Sequence, residues 1–171
     1  DGNKYIDLIS GLLSVSLGYN IKEINKKIIK QLNKGITLSL PSLLENKLAK
    51  KIINEIPSAE MVRFAKNGSD VTSAAIRLSR MITERKIILT CGYHGWHEWY
   101  IGKTSMNAGI PNEMFINTKT FKYNDIKSFE KVFKKNKTNI AAVILEPMNV
   151  EWPNIKFLKK IRAMCSKNKS I

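Results

Sequence analysis

Three places along the chain combine residue types that chemistry can use. Asn67-Gly68-Ser69-Asp70 lies between a strand-like and a helical stretch. Its amides would therefore sit at a helix N-terminus, where unpaired N–H groups and partial positive charge favour a phosphate. Gly68 has no Cβ to hold a ligand off the backbone, Ser69 offers a hydroxyl, and Asp70 in the first turn supports the helix dipole. Taken alone, a four-residue glycine turn is weak evidence for a ligand, and a capping turn without one is the favoured reading. No GxxxxGK[ST] run is present, so nucleoside triphosphate hydrolysis has no support.

The second place is Gly92-Tyr93-His94-Gly95-Trp96-His97, a glycine- and aromatic-rich loop at the end of another strand-like run. From there Tyr93 and His94 can stack on a planar ring or reach its polar edge. Trp96, Trp99 and Tyr100 read as loop packing or mouth residues. His94 and His97 are the two histidines of the chain, with Glu98 as the one adjacent acid; no third ligand has recognisable spacing, so no metal site is expected. Cys91 lacks the surroundings of a nucleophile and reads as a small buried residue. The third place is Glu146, which follows the apolar run Ile140–Leu145 and precedes Pro147. A carboxylate there needs solvent or a partner; it is a site group or a cap for a neighbouring loop.

The periodicity of the chain supplies elements to position these groups. From Ile21, the residues Ile24, Ile28, Ile29 and Leu32 keep helical spacing, with Asn33-Lys34-Gly35 as a stop. After Pro41, Leu44, Leu48, Ile52, Ile53 and Ile56 mark a second helix ended by Pro57. Met61-Val62-Arg63-Phe64-Ala65 reads as a short strand before the Asn67 turn, and Val71, Ala74, Ala75, Leu78 and Ile82 repeat at helical spacing after it. Lys86–Thr90 is strand-like and runs into the aromatic loop. Asp125 can cap a helix carrying Ile126, Phe129, Val132 and Phe133; Ile140–Leu145 suits a strand covered on both faces; a last helix holds Phe157, Leu158, Ile161 and Cys165. The sum is an α/β plan with a mostly parallel sheet. All three chemical places are strand ends, and in such sheets ligands bind in the crevice beyond the carboxyl ends of the strands.

Taken in order, these motifs resemble the class III aminotransferases, pyridoxal-phosphate enzymes of fold type I that include glutamate-1-semialdehyde aminomutase. YIDLISGLL with Leu17-Gly18-Tyr19-Asn20 is similar to the family's opening, IPSAEMVRFAKNGSDVTSAAIRLSR resembles its phosphate-loop segment, CGYHGWHEWYIG its YHG loop, and AAVILEP its Glu-Pro strand. The likeness is greatest to the branch reading NGSDA and GYHGWHDWYIG. It covers nearly the whole chain. Asn67-Gly68-Ser69 stands where the family usually has Ser-Gly-Thr, and Tyr93-His94-Gly95-Trp96 where the aminomutase usually has a YHGH-type sequence.

The resemblance implies that residues 1–40 are the N-terminal segment of the small domain and its connection, and that 41–171 are the first part of a truncated pyridoxal-phosphate-binding large domain. It implies pyridoxal 5'-phosphate as cofactor, held at its phosphate by Asn67, Gly68 and Ser69, with Tyr93 stacked on the ring and His94 and Glu146 close by. The reaction implied is transfer of an amino group from an amino donor to a carbonyl acceptor, in this branch a sugar or cell-surface precursor, or the aminomutase reaction instead. The pyridine-binding aspartate and the Schiff-base lysine are expected after Ile171, so this stretch is expected to carry no catalytic residue, to be an internal fragment of a homodimeric enzyme, and to be inactive alone.

Composition bounds the remaining alternatives. With 171 residues, 43% hydrophobic and 25% charged, the chain can bury one core and is neither disordered nor a disulfide scaffold. Two distant cysteines fit a reducing cytoplasm, and no apolar run is long enough to cross a bilayer. The net charge of +15 raises a second reading, a noncatalytic basic binding module. Only five of the 29 basic residues are arginine, and the lysines are spread along helix-like stretches as solvated faces are. Neither a nucleic-acid nor a membrane partner is expected. Binding to duplex or single-stranded nucleic acid should be weak and vanish in moderate salt; fluorescence anisotropy across a salt series checks this, and a sequence-selective complex at physiological salt would favour the binding module.

Overall fold

A computed structural model describes residues 1–148 and 150–171. The chain forms two compact units, Asp1–Arg63 and Phe64–Ile171. In the first, residues 8–17 are a run of turns organised by Asp7, whose carboxylate accepts from the Tyr19 hydroxyl (2.6 Å), the Gly11 amide (2.8 Å) and the Ile9 amide (2.9 Å). These bonds hold its carboxyl below the usual carboxylate range, that from Tyr19 most. Two helices follow, α1 (Lys22–Leu32) and α2 (Leu43–Glu55). Helix α2 starts on a capping box in which the Ser42 hydroxyl accepts from the Glu45 amide and the Glu45 carboxylate from the Ser42 amide. The boundary read after residue 40 falls inside this unit, between α1 and α2.

The second unit carries α3 (Gly68–Thr83), β1 (Ile87–Cys91), α4 (Glu98–Ile101), α5 (Asn112–Phe115), β2 (Thr118–Thr120), α6 (Ile126–Asn136), a 3-10 turn (Lys137–Asn139), β3 (Ile140–Leu145) and α7 (Ile155–Asn168). The sheet has the order β2-β1-β3 and is parallel throughout, with Thr90 opposite Thr120 on one side and Ile144 on the other. On the far side of β3, Ile171 donates to the Ala141 carbonyl and accepts from the Val143 amide.

Because β1 is central and covered on both faces, four of its five residues are buried and it shows no polar alternation. Leu89 and Cys91 point into a cluster with Phe121, Phe129, Phe133, Phe157 and Ile161, where α6 and α7 pack. Ile88 points the other way, to Ile76 of α3 and to Trp99 and Tyr100 of α4. Arg85 ties the strand entrances together by donating to the carbonyls of Ile140 (3.2 Å) and Asn168 (2.8 Å).

Three sequence expectations need correction. Met61–Ala65 is not a strand: it runs without regular structure, and among the described residues no strand lies alongside to form a ladder. The long loop after β1 contains β2, α4 and α5; each is three or four residues long, too short for periodicity to register. In α3 the buried face is not the apolar series, since Val71, Leu78 and Ile82 are exposed. The residues turned inward are Ser69, Thr72, Ser73, Ile76 and Ser79. Small side chains let the helix lie close to β3 and the loop after β1, and their hydroxyls find internal acceptors, Ser79 on the Ala75 carbonyl and Thr83 on that of Ser79.

His94 belongs to this core. Its ring is buried, stacks on Trp99 with centroids 6.3 Å apart, meets Tyr100 edge-on at 5.3 Å, and donates from Nε2 to the Cys91 carbonyl at 2.9 Å. Burial pushes its pKa below the ordinary value of 6.5, outweighing the raising effects of that hydrogen bond and of Glu146. The unfolded chain then binds a proton more readily than the folded one, so stability present above 6.5 is lost as pH falls through and below that value. Urea melts from pH 8 to 5 should show this slope, and it should be reduced in His94→Gln. In the opposite cluster, Phe129→Ala should cost roughly 3–5 kcal/mol, because Phe129 is fully buried between Phe121 and Phe133.

Candidate functional site

Helix α3 begins where the Asn67 side chain accepts from the Asp70 amide at 3.0 Å while its own amide donates to Asp70 Oδ2 at 2.9 Å. The Val71 amide bonds back to the Asn67 carbonyl. The amides of Gly68 and Ser69, the first two of the helix, have no acceptor among the described residues. A Cβ added at Gly68 would meet nothing within 4 Å. The helix N-terminus thus presents two free donors to open space, with no side chain between them and a ligand.

The loop from Gly92 to His97 closes over that terminus. Gly95 has φ +98°, and a Cβ there would run into Ser69, its Cα at 2.9 Å; only glycine allows so close an approach. The contact is fixed by the Trp96 amide donating to Ser69 Oγ at 3.1 Å and by Thr72 Oγ1 donating to the His94 carbonyl at 2.8 Å. Ser69 Oγ accepts the Trp96 bond and keeps its own proton for another acceptor. At the other end of the loop Gly92, with φ +92°, leaves the room that the Glu146 side chain occupies. Glu146 Oε2 there accepts from the Tyr93 amide at 3.0 Å.

The result is a cavity of about 510 Å³ lined by Asn67, Gly68, Ser69, Thr72, Tyr93, His94, Gly95 and Trp96. Five of the six residues expected from sequence border it. Tyr93 keeps 63% of its surface open while its edge is fixed against Tyr100, at 5.9 Å and 89°. Such a ring has a face to offer a flat ligand. His94 holds the loop rather than offering a polar edge, since its imidazole is turned into the core. Glu146 lies outside the lining and sets the Tyr93 backbone. Trp96 stands exposed at the mouth, whereas Trp99 and Tyr100 are core residues. Burial raises the Cys91 thiol pKa, with Glu146 adding to the shift, and pushes that of Cys165 up to about 11, so neither is a ready nucleophile.

Sequence reading missed Thr72 and Gly95. Both carried a signal: Thr72 is a hydroxyl one turn beyond Ser69, and Gly95 is a second glycine in a loop that must double back. The cavity suits a phosphorylated planar group, with a helix N-terminus and a serine hydroxyl at one end and an exposed phenol ring at the other.

The family model for class-III aminotransferases matches residues 1–171. The chain is 40% identical over 157 residues to glutamate-1-semialdehyde 2,1-aminomutase of Methanosphaera stadtmanae, covering 86% of this chain and 37% of that protein. It is 35% identical to 3-aminobutyryl-CoA aminotransferase of Cloacimonas acidaminovorans, covering 97% and 41%. It thus spans about two fifths of the curated relatives it matches. Among solved structures, an omega-transaminase from Sphaerobacter thermophilus superposes with a TM-score of 0.86 at 23% identity over 95% of this chain and 42% of that one. A glutamate-1-semialdehyde aminomutase from Pseudomonas aeruginosa PAO1 gives 0.79 at 20%, over 97% and 39%. These likenesses establish the fold as part of that of the pyridoxal-phosphate-dependent transaminases. With the family model matching every residue from the helix-end cradle to the Glu-Pro strand, the chain belongs to the class-III aminotransferases.

Proposed function

We propose that this chain is the phosphate- and ring-binding part of a pyridoxal-phosphate enzyme that moves an amino group from an amino donor to a carbonyl acceptor. The observation that carries the reading is the pair of free amides at Gly68 and Ser69, opening on the same cavity as the exposed ring of Tyr93. The two amides and the Ser69 hydroxyl donate to phosphate oxygens, and Tyr93 covers one face of the pyridine ring. Glu146 keeps Tyr93 in place through its backbone, and Trp96 shields the mouth from water. When bound, the cofactor supplies an aldehyde that takes up the amino group and a ring that delocalises charge from the substrate carbon. No lysine lines the cavity; the covalent lysine and the pyridine-binding aspartate are read as belonging to the remainder of the enzyme. The family likeness supports a cytoplasmic homodimer acting on small molecules, with neither nucleic acid nor membrane as partner.

The aminomutase reaction is a second reading, favoured by the 40% identity to an aminomutase. The two separate on stoichiometry. Incubated with glutamate-1-semialdehyde alone, a mutase turns over continuously, whereas an aminotransferase stops after one equivalent unless an amino donor and a carbonyl acceptor are both present. A panel of sugar carbonyls and 2-oxo acids then identifies the acceptor.

In the cofactor-loaded enzyme, Gly68→Val should speed cofactor dissociation by about ten- to a hundredfold, the loss expected for one or two hydrogen bonds to a charged group. Its melting temperature without cofactor should change little, because a Cβ at residue 68 meets nothing within 4 Å. Tyr93→Ala should also loosen the cofactor, and Ser69→Ala should do so less, since both amides remain. Gel filtration followed by cofactor absorbance measures retention. Unchanged retention in both the Gly68 and Tyr93 variants would place the cofactor elsewhere.

A further inference from the structure

His97 is outside the cavity lining, yet both its ring nitrogens face α3. Nδ1 lies 2.8 Å from Ser73 Oγ, and Nε2 lies 3.8 Å from Asp70 Oδ1. Asp70 and Ser73 are three residues apart and so are neighbours on one helix face. Ser73 Oγ also accepts from Trp99 Nε1 at 3.0 Å. An indole can only donate, which fills an acceptor position on Ser73 and leaves its hydroxyl proton for His97. With Ser73 donating to Nδ1, the proton falls on Nε2, on the side of the Asp70 carboxylate 3.8 Å away, an electrostatic contact and not a hydrogen bond. The backbone of His97 meanwhile accepts the Tyr100 and Ile101 amides, both at 3.0 Å, and so starts α4. A single residue thereby fixes the start of α4 and ties it to the start of α3. The arrangement of Ser, His and Asp is not read as a nucleophilic triad, because Ser73 Oγ is engaged by Trp99 and Ser73 is absent from the lining of the cradle cavity.

We infer that His97 is a positioning residue for the cofactor: bridging Ser73 and Asp70, it fixes how far the Tyr93–Trp96 loop stands from the amides of Gly68 and Ser69, and so the spacing between ring and phosphate contacts. The inference rests on the cradle reading above. The loop meets α3 at three further points: the Gly95–Ser69 contact, Trp96 N to Ser69 Oγ, and Thr72 Oγ1 to the His94 carbonyl. These hold the loop against the helix at Ser69 and, three residues on, at Thr72. His97 adds contacts to Ser73 and Asp70 where the loop runs into α4, so the loop is held to α3 at its C-terminal end as well.

The test uses the complete cofactor-loaded enzyme. His97→Leu fills similar volume without polar atoms, and His97→Gln keeps a donor and an acceptor. Cofactor dissociation and the visible circular dichroism of the bound cofactor are recorded for both, beside the melting temperature of each cofactor-free protein. The expected result is roughly tenfold faster dissociation and a diminished dichroic band in His97→Leu, substantial recovery in His97→Gln, and cofactor-free melting temperatures close to the parent's. Wild-type retention and dichroism in His97→Leu would overturn the inference. So would losses in both variants that merely track a fall in melting temperature, since His97 would then be structural. Gly68→Val is measured in parallel. If it loosens the cofactor while His97→Leu does not, the positioning role fails and the cradle stands; if neither does, the cradle reading itself has failed.

Discussion

The close approach of Gly95 to Ser69 is the constraint on which the rest of the site depends. A Cβ at residue 95 would overlap Ser69, so only a glycine, at φ +98°, lets the loop backbone settle on the first turn of α3. Once there, the Trp96 amide reaches Ser69 Oγ and Thr72 reaches the His94 carbonyl. Tyr93 is thereby carried to the rim of the same cavity that the free helix amides open on. The other end of the loop answers to the sheet. Glu146 follows β3 directly, and the parallel register sets Leu145 beside Cys91, so a carboxylate just beyond one strand meets the backbone just beyond its neighbour. Parallel pairing thus converts two sequence-distant strand ends into one wall of the site.

Much of this was legible in the residues. The apolar run Ile140–Leu145 reads as a doubly covered strand and is one, with its bounds unchanged. The Asp125 cap, Asn67 at a helix start and the helix ending beyond Cys165 all follow from local chemistry that tertiary context did not override. The class-III resemblance, carried by four motifs in order, agrees with a family model that matches the whole chain.

What was not legible depends on partners distant in sequence. Met61–Ala65 has the composition of a strand, but strand composition describes a fit to a pleated, half-buried surface, and among the described residues no ladder lies beside it. In α3, periodicity picks out Val71, Leu78 and Ile82, whereas close packing selects the stripe of small hydroxyl residues, because serine and threonine allow a shorter distance and can satisfy their own oxygens. His94 shows the same limit. A histidine in an aromatic loop looks like a ligand contact, and only the structure reveals that its ring turns inward to the Cys91 carbonyl and stacks on Trp99.

The placement of Asp70 resolves an apparent conflict at the heart of the cradle. A carboxylate in the first turn stabilises a helix by meeting its positive end, and for the same reason it competes with any anionic ligand there. In this chain the competition is relieved by direction. One oxygen of Asp70 is taken by the Asn67 side-chain amide at 2.9 Å and the other faces His97 at 3.8 Å, so its charge is turned along the helix flank and Asp70 is absent from the cavity lining. The two foremost amides stay free for an incoming anion, while the third is capped by Asn67. Asn67 divides two tasks between its two side-chain polar atoms: the carbonyl oxygen caps the helix and the amide nitrogen restrains the acid. Asn67 and Asp70 thus form a single electrostatic arrangement in which the helix end is capped while its first two amides stay open.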